Sequence, residues 1–194
     1  MSAEAPSDLH REISACQLCA AHLPHGPRPV VSFSPTSRVL IIGQAPGSKV
    51  HASGVPWDDD SGDRLRHWTG LSKKQMYDPA QVALVPMGFC YPGKASGGDQ
   101  PPRKECAPAW HERVLETLPK DRLTLLVGTY AQAYYMPETK KLSLTERVQR
   151  WREFSPVIPL PHPAWRSRIW MGKNPWFEAE VLPELRKAVA QRIR

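Results

Sequence analysis

The sequence predicts one α/β domain, a three-layer α/β/α sandwich around a central, mainly parallel four-stranded sheet. Two observations predict this fold: four short apolar runs recur along the chain, and helical patterns lie between them. Strands that alternate with helices favour parallel pairing, because each crossover returns the chain to the same edge of the sheet. A length of 194 residues is enough for one buried core, so we expect residues 1–194 to form a single domain.

The predicted strands are residues 39–42, 82–85, 123–127 and 157–160, each followed directly by glycine or proline. Each run is too short for a helix and apolar enough for a strand buried on both faces. Helices are predicted at 62–68, 109–118, 129–135, 144–151 and 176–193, with a capping box of Ser143 and Glu146 before the fourth. Parallel sheets bind ligands beyond the carboxyl ends of their strands, so the segments after residues 42, 85, 127 and 160 are where a site is expected.

The excess of basic over acidic residues indicates which class of partner the protein binds. Lys and Arg number 26 against 19 Asp and Glu, giving a formal net charge of +7 and a pI near 9.4. This balance favours nucleic acid, although an inert basic surface explains the charge equally well. No apolar run is long enough to span a membrane and the N-terminus does not resemble a secretory signal, so we expect a cytoplasmic monomer with no membrane partner.

The segment after the first strand combines a glycine turn with an acidic run. The turn, Gly43-Gln-Ala-Pro-Gly47, can point backbone N–H groups at a ligand, but its spacing is not that of a phosphate-binding loop. An ordinary strand-exit turn is an equal alternative. The run Trp57-Asp-Asp-Asp60-Ser-Gly62 places three carboxylates in sequence, and their repulsion can raise the pKa of one of them. A solvated charge run is the simpler interpretation.

The four cysteines form the patterns Cys16-x2-Cys19 and Cys90-x15-Cys106. In a reducing compartment such residues are metal ligands or buried thiols rather than disulfides. The second pair is too widely spaced for a zinc knuckle, whereas iron–sulfur ligands are spaced more variably. From spacing alone an iron–sulfur cluster, zinc and unliganded cysteines are equally favoured.

The last predicted strand is followed by a histidine and a basic segment. His162 lies between two prolines, and Trp165, Arg166, Arg168 and Lys173 follow with no acidic residue before Glu178. Arginines and lysines contact phosphates, and aromatic side chains stack on bases or wedge between them. The pattern therefore favours nucleic-acid contact over a plain surface loop.

Taken in order, these motifs resemble the uracil-DNA glycosylase superfamily, in particular its iron–sulfur families 4 and 5. The cysteine pairs, the Gly43 turn and His162-Pro163 occur in the family's order and spacing. The resemblance implies a [4Fe-4S] cluster held by Cys16, Cys19, Cys90 and Cys106. It also implies a monofunctional DNA glycosylase that flips a damaged nucleotide from single- or double-stranded DNA and hydrolyses its glycosidic bond, uracil being the default base.

The resemblance also implies residue roles. His162 would donate a hydrogen bond to the leaving base, Gln44 would position water, and Trp57 would stack on the base in place of the family's phenylalanine. Gln44 and Ala45 stand where other families carry an acidic residue or asparagine. The catalytic carboxylate is therefore assigned to Asp60, with Asp58 or Asp59 as alternatives, by similarity to a family 5 segment. The predicted base pocket consists of Gly43, Ala45, Trp57 and Asn174.

Two departures from the family pattern support a rival interpretation. The asparagine that reads uracil normally precedes the third cysteine, but Val85-Pro-Met-Gly-Phe-Cys90 contains no amide side chain. The usual serine after His-Pro is Ala164, followed by Trp165, which would be either a DNA wedge or a core anchor. A non-catalytic nucleic-acid-binding protein that keeps the fold and the cluster is thus the alternative. A nucleotide hydrolase is disfavoured by the turn spacing.

Overall fold

The computed structural model describes residues 6–193 and contains a four-stranded sheet in which all strands are parallel. Its strands are β1 (Val39–Ile42), β2 (Val82–Leu84), β5 (Leu123–Val127) and β6 (Val157–Leu160), in the order β2-β1-β5-β6. Strands β3 (Lys94–Ala95) and β4 (Gly98–Asp99) form a separate antiparallel hairpin. The predicted fold class is confirmed, and the predicted strands agree with the sheet except that β2 ends one residue earlier.

Helices precede, connect and follow the strands. They are α1 (Pro6–Ser14), α2 (Ser48–Ser53), α3 (Asp60–Thr69), α4 (Lys73–Met76), α5 (Cys106–Thr117), α6 (Thr129–Tyr135), α7 (Leu144–Gln149), α8 (Ser167–Lys173) and α9 (Leu182–Ala190). A π-helical turn, Phe177–Val181, leads into α9. The five predicted helices are present with shifted ends, and the capping box at Ser143 is formed. Helices α1, α2, α4 and α8 were not predicted; of these, α2 and α4 span only six and four residues, too few to show apolar periodicity.

The core lies in two layers, one on each face of the sheet. Val39 and Ile41 pack with buried residues of α3, α4, α7 and α9. Leu40 and Ile42 face the other way and pack with residues of α1, α5 and α6. Successive strand side chains point to opposite faces, so an uninterrupted apolar strand needs helices on both sides. This arrangement is the predicted three-layer sandwich.

Backbone hydrogen bonds fix the positions of the loops at the carboxyl edge of the sheet relative to one another. The N–H groups of Met87 and Gly88 donate to the carbonyl oxygens of Gly43 and Gln44 at 2.9 and 3.0 Å. On the other side of the sheet, Gly128 N–H donates to Leu160 O at 2.9 Å. The segments that follow β1, β2, β5 and β6 therefore meet at one edge. Among residues 6–193, no helix is both long and apolar enough to cross a membrane.

Candidate active site

A cavity of about 410 Å³ opens at the carboxyl edge of the sheet, where parallel strands place their ligands. Most of its lining comes from four chain segments, the Gly43–Gly47 turn, residues 56–61, the end of the β3–β4 hairpin and the loop after β6; Val30, Val50 and Pro86 complete it. The predicted residues Gly43, Gln44, Ala45, Trp57 and His162 all line it. Residues from four distant parts of the sequence thus meet in one concave space, which is the usual form of a small-ligand site.

Trp57 is held in an uncommon backbone conformation at the centre of one wall. Its φ is +58°, a value that bulky residues seldom adopt, and Tyr77 Oη–H donates to its carbonyl oxygen at 3.0 Å. A Cβ atom on Gly43 would lie 2.5 Å from Trp57 Cζ2, and one on Gly62 would lie 1.7 Å from Trp57 O. Glycine is therefore required at both positions for the indole to lie against the turn.

The Trp57 indole also stacks on His162, with ring centroids 5.8 Å apart and an interplanar angle of 30°. Both rings line the cavity, so a planar ligand there can contact the indole of Trp57 and lie next to an imidazole nitrogen of His162. Aromatic faces are well suited to stacking on a nucleobase. The predicted stacking and donor residues are thus brought together.

Asp59 is the carboxylate that residues 58–60 contribute to the cavity wall. It caps the N-terminus of α3, where its Oδ1 accepts a hydrogen bond from Gly62 N–H at 2.8 Å. An N-cap residue is fixed in orientation because its side chain bonds to the first helical turn. The cap uses one carboxylate oxygen, and burial lowers the pKa of His162 while the nearby Asp59 charge opposes part of that shift.

Asp60 faces away from the cavity. Its side chain is 90% exposed, and its Oδ1 lies 3.2 Å from Lys49 Nζ. Asp58 is half-buried and does not line the cavity either. Of the three candidates for the catalytic carboxylate, Asp59 is therefore the one that lines the cavity. The reason is that α3 begins at residue 60, so the residue before it becomes the inward-facing cap.

His162 follows β6 and lies beside the glycine that ends β5. A Cβ on Gly128 would lie 3.5 Å from His162 Cβ. Burial lowers the pKa of His162 below its ordinary value, and the Asp59 carboxylate opposes part of that shift. The imidazole is therefore neutral at pH 7, when one of its nitrogens carries a proton and can donate a hydrogen bond.

Asn174 is not brought to the cavity. Its Nδ2 donates to Trp170 O at 2.8 Å, which ties it to the end of α8. The position expected for the base-reading amide is also apolar, since Pro86 lines the cavity after β2. The structure therefore does not place Asn174 at the cavity, and no amide from the segment before Cys90 lines it.

The carbonyl group of Pro86 is hydrogen-bonded to a buried histidine that the sequence analysis did not identify. His111 Nε2 donates to Pro86 O at 2.9 Å, because a carbonyl oxygen can only accept. Its Nδ1 then accepts from Tyr135 Oη–H at 2.5 Å. Burial lowers the pKa of His111 to about 4, which keeps the ring neutral in this arrangement.

The basic segment after His162 forms an exposed patch on α8 and the turn before it. Trp165 is 67% exposed, so it is not a core anchor, and the Arg166 guanidinium lies 5.7 Å from its ring centroid. Arg168 and Lys173 are exposed as well, and so is Ile169. Because Ala164 lines the cavity, this patch begins at the cavity rim.

The β3–β4 hairpin supplies site residues that the sequence interpretation missed. Gly97, Gly98, Asp99 and Gln100 line the cavity. Asp99 Oδ1 lies 3.4 Å from both Tyr91 Oη and Lys94 Nζ. The Gly97-Gly98 dipeptide was the available signal, since paired glycines mark tight hairpin turns.

The four cysteines are free thiols, with Cys19 and Cys106 buried and Cys16 and Cys90 half-buried. Burial raises the pKa of Cys90 to about 11 and that of Cys106 to about 12, and the neighbouring thiols add to both shifts. Phe89 N–H donates to Cys106 Sγ at 3.3 Å. Throughout residues 6–193, however, no group of three or more His, Cys, Asp or Glu side chains is arranged to hold a metal ion.

Comparison with protein families identifies the superfamily of this chain. The family described as the Uracil DNA glycosylase superfamily matches residues 31–186. The match includes the whole sheet, the Gly43 turn, Trp57, Asp59 and His162, whereas Cys16 and Cys19 precede it. Since it covers most of the sequence, the chain belongs to the uracil-DNA glycosylase superfamily.

Proposed function

We propose that the protein is a monofunctional DNA glycosylase that hydrolyses the N-glycosidic bond of a flipped, deaminated base. The observation that carries this proposal is the shared cavity of Asp59, His162 and Trp57, in which a carboxylate, a neutral imidazole and an aromatic face converge. Membership of the superfamily supports the reaction class. Uracil is the first base to test.

The reaction explains why these groups are needed. Cleavage of the glycosidic bond leaves positive charge on the sugar and negative charge on the base. Asp59 would stabilise the cationic sugar or hold the attacking water, and the neutral His162 would donate a hydrogen bond to the base oxygen. Gln44 can orient water through its amide but cannot act as a base at neutral pH.

The exposed patch of Trp165, Arg166, Arg168 and Lys173 would hold the DNA next to the cavity. Arginine and lysine side chains would contact phosphates, and the exposed indole would fill the stack vacated by the flipped nucleotide. The position of this patch at the cavity rim supports the proposal, because flipping requires duplex contacts beside the pocket.

We also propose a structural [4Fe-4S] cluster on Cys16, Cys19, Cys90 and Cys106. The donor set supports it, since Cys16, Cys19 and Cys90 all contribute to the raised pKa of Cys106, whose Sγ also accepts a hydrogen bond from Phe89 N–H. The absence of a preformed metal group among the described side chains is the observation against it. When bound, the cluster would tie the segment after α1 to the loop that carries the hairpin.

The cluster proposal is tested by metal analysis of protein purified without oxygen. We expect about four irons per chain, the content of one such cluster held by cysteine thiolates. Bound zinc without iron, or no metal at all, would contradict it. This measurement does not depend on catalytic activity.

Excision is tested with oligonucleotides that contain uracil, hypoxanthine or xanthine in single and double strands, followed by alkaline cleavage of abasic sites. The parent protein should release at least one base. His162→Ala should slow release by ~10²–10⁴-fold, the usual contribution of a positioned proton-donating group, while DNA affinity is kept. Tight DNA binding without any release would favour the non-catalytic binding protein, which the apolar Pro86 at the expected amide position also favours.

A further inference from the structure

The β3–β4 hairpin places a second carboxylate, Asp99, in the wall of the same cavity. Its Oδ1 is anchored beside Tyr91 Oη and Lys94 Nζ, each 3.4 Å away. Its Oδ2 points to the glycine turn, since a Cβ on Gly47 would lie 3.3 Å from it. The Asp99 side chain thus lies between the hairpin and the Gly43–Gly47 turn. Its Oδ1 is held near Tyr91 and Lys94, and its Oδ2 faces the turn.

Few other polar side chains are available to recognise a base edge. Pro86 has no N–H group, and the Nε2 of Gln100 is engaged with Lys94 O at 3.3 Å. Val30 and Val50 supply apolar surface. Asp59 is the other carboxylate among the described lining residues, and it is fixed as the cap of α3. Gln44, Ser61 and His162 also line the cavity as neutral groups, so Asp99 is the remaining carboxylate that can face a base edge.

We infer that Asp99 reads the edge of the flipped base and makes hypoxanthine the preferred deaminated base. The inference rests on the proposed glycosylase function and concerns the same cavity. It differs from the uracil expectation because a carboxylate replaces the amide that would pair with uracil.

The hydrogen-bonding capacity of a carboxylate leads to this preference. An ionised carboxylate only accepts hydrogen bonds, whereas an amide both donates and accepts. In uracil and xanthine, the imide N–H is flanked by two carbonyl oxygens, which repel a carboxylate that accepts from it. The N1–H of hypoxanthine has one carbonyl neighbour and one C–H neighbour, and the C–H can make a weak contact with the second carboxylate oxygen. Hypoxanthine is therefore the least repelled of the three.

Asp99 would also accept hydrogen bonds from guanine, which carries the same N1–H and an adjacent amino group. Discrimination against guanine in DNA then depends on flipping, because a correctly paired base costs more to extrude than a mismatched hypoxanthine. Duplexes in which hypoxanthine is mispaired are therefore the substrates of choice.

The test compares excision of hypoxanthine and uracil from matched duplexes by the parent protein, Asp99→Asn and Asp99→Ala. The parent should prefer hypoxanthine. Asp99→Asn should lower the hypoxanthine-to-uracil rate ratio by about 10- to 100-fold, the effect of one hydrogen bond to a charged group, because the new amide can donate to uracil. Asp99→Ala should lower the preference without gaining uracil activity.

Asp121→Asn is the matched control. Asp121 precedes β5 at the opposite edge of the sheet and pairs with Arg38 and Arg192, so the same chemical change there should leave the ratio as in the parent. Thermal unfolding of each variant checks that the hairpin change leaves the fold intact. An equal ratio in Asp99→Asn and the parent would overturn the role of Asp99 while excision itself stands.

Binding of free hypoxanthine and uracil, followed by NMR, separates this inference from the proposed function. If no base is excised but hypoxanthine binds more tightly and Asp99→Asn removes the difference, glycosylase activity is contradicted and base reading by Asp99 is supported. If neither base is excised or bound, both proposals fail. If uracil is bound or excised better by the parent protein, the preference assigned to Asp99 is wrong.

Discussion

Two walls of the cavity differ in how the fold holds them. The wall of residues 57–62 is constrained by the positive φ of Trp57, the hydrogen bond from Tyr77, and the close approach of Gly62. The hairpin wall of residues 94–99 is exposed on both strands and has open space around Gly97. The first wall carries the proposed catalytic carboxylate, and the second carries the proposed base-reading carboxylate.

This difference in support matches the two proposed functions, catalysis at the first wall and base recognition at the hairpin wall. Groups that act on the reacting atoms need precise support from packed neighbours, because a small displacement reduces the rate strongly. Groups that recognise the base edge can stand on a less buried element, which tolerates changes in sequence more readily. Substitutions in the two walls should therefore have effects of different kind and size.

The largest expected effect is on catalysis at the first wall. Asp59→Asn should slow base excision by ~10²–10⁴-fold in single-turnover assays, because the charge facing the sugar is lost. Asparagine is also a good N-cap, so the helix start should be kept. Asp60→Asn is the matched control and should retain nearly the parent rate, since its side chain is 90% exposed. The reverse result would restore Asp60 as the catalytic carboxylate.

A second effect concerns the stability of the two walls. In Gly62→Ala the new methyl group would meet Trp57 O, so we expect a loss of about 3 kcal/mol in the free energy of unfolding, measured with urea. Gly97→Ala should change it by less than about 0.5 kcal/mol, because nothing lies within 4 Å of the added atom. Equal losses would show that the walls are equally constrained.

A third effect tests the support beneath Pro86. Burial lowers the pKa of His111 to about 4 from 6.5, so between these pH values the unfolded chain binds a proton that the folded chain does not. Stability should then fall as the pH falls through this window, by about 3 kcal/mol in total for this group. His111→Gln should show a shallower decline over the same range in urea titrations at several pH values. An identical decline would mean that other groups set the pH dependence.

The smallest effect is expected outside both walls, on the exposed patch. Changing Arg166, Arg168 and Lys173 together to alanine should reduce the log–log salt dependence of DNA binding by roughly one unit for each phosphate that these side chains neutralise. Folding should be unaffected, because all three side chains are exposed. An unchanged slope would assign these residues to an inert surface.

Local sequence patterns predicted much of the fold and part of the site. The four apolar runs located the strands, and the order of the motifs placed Gln44, Trp57 and His162 at one edge of the sheet. These features follow from side-chain alternation and from the position of strand ends in parallel sheets. The cluster on the four cysteines stays a prediction.

Tertiary structure decided the rest. Which of three consecutive aspartates lines the cavity depends on where α3 begins, because Asp59 caps that helix by accepting from Gly62 N–H while Gly62 packs closely against Trp57 O. Asp99 reaches the cavity because the hairpin lies against the Gly43–Gly47 turn, more than forty residues before it in the chain. The sequence by itself determined the strands, helices and turns, because these depend on residues that are close together in the chain. Only packing between distant segments brought Asp59, Asp99 and His162 to one cavity, because contacts such as that between the hairpin and the Gly43–Gly47 turn have no fixed spacing along the chain.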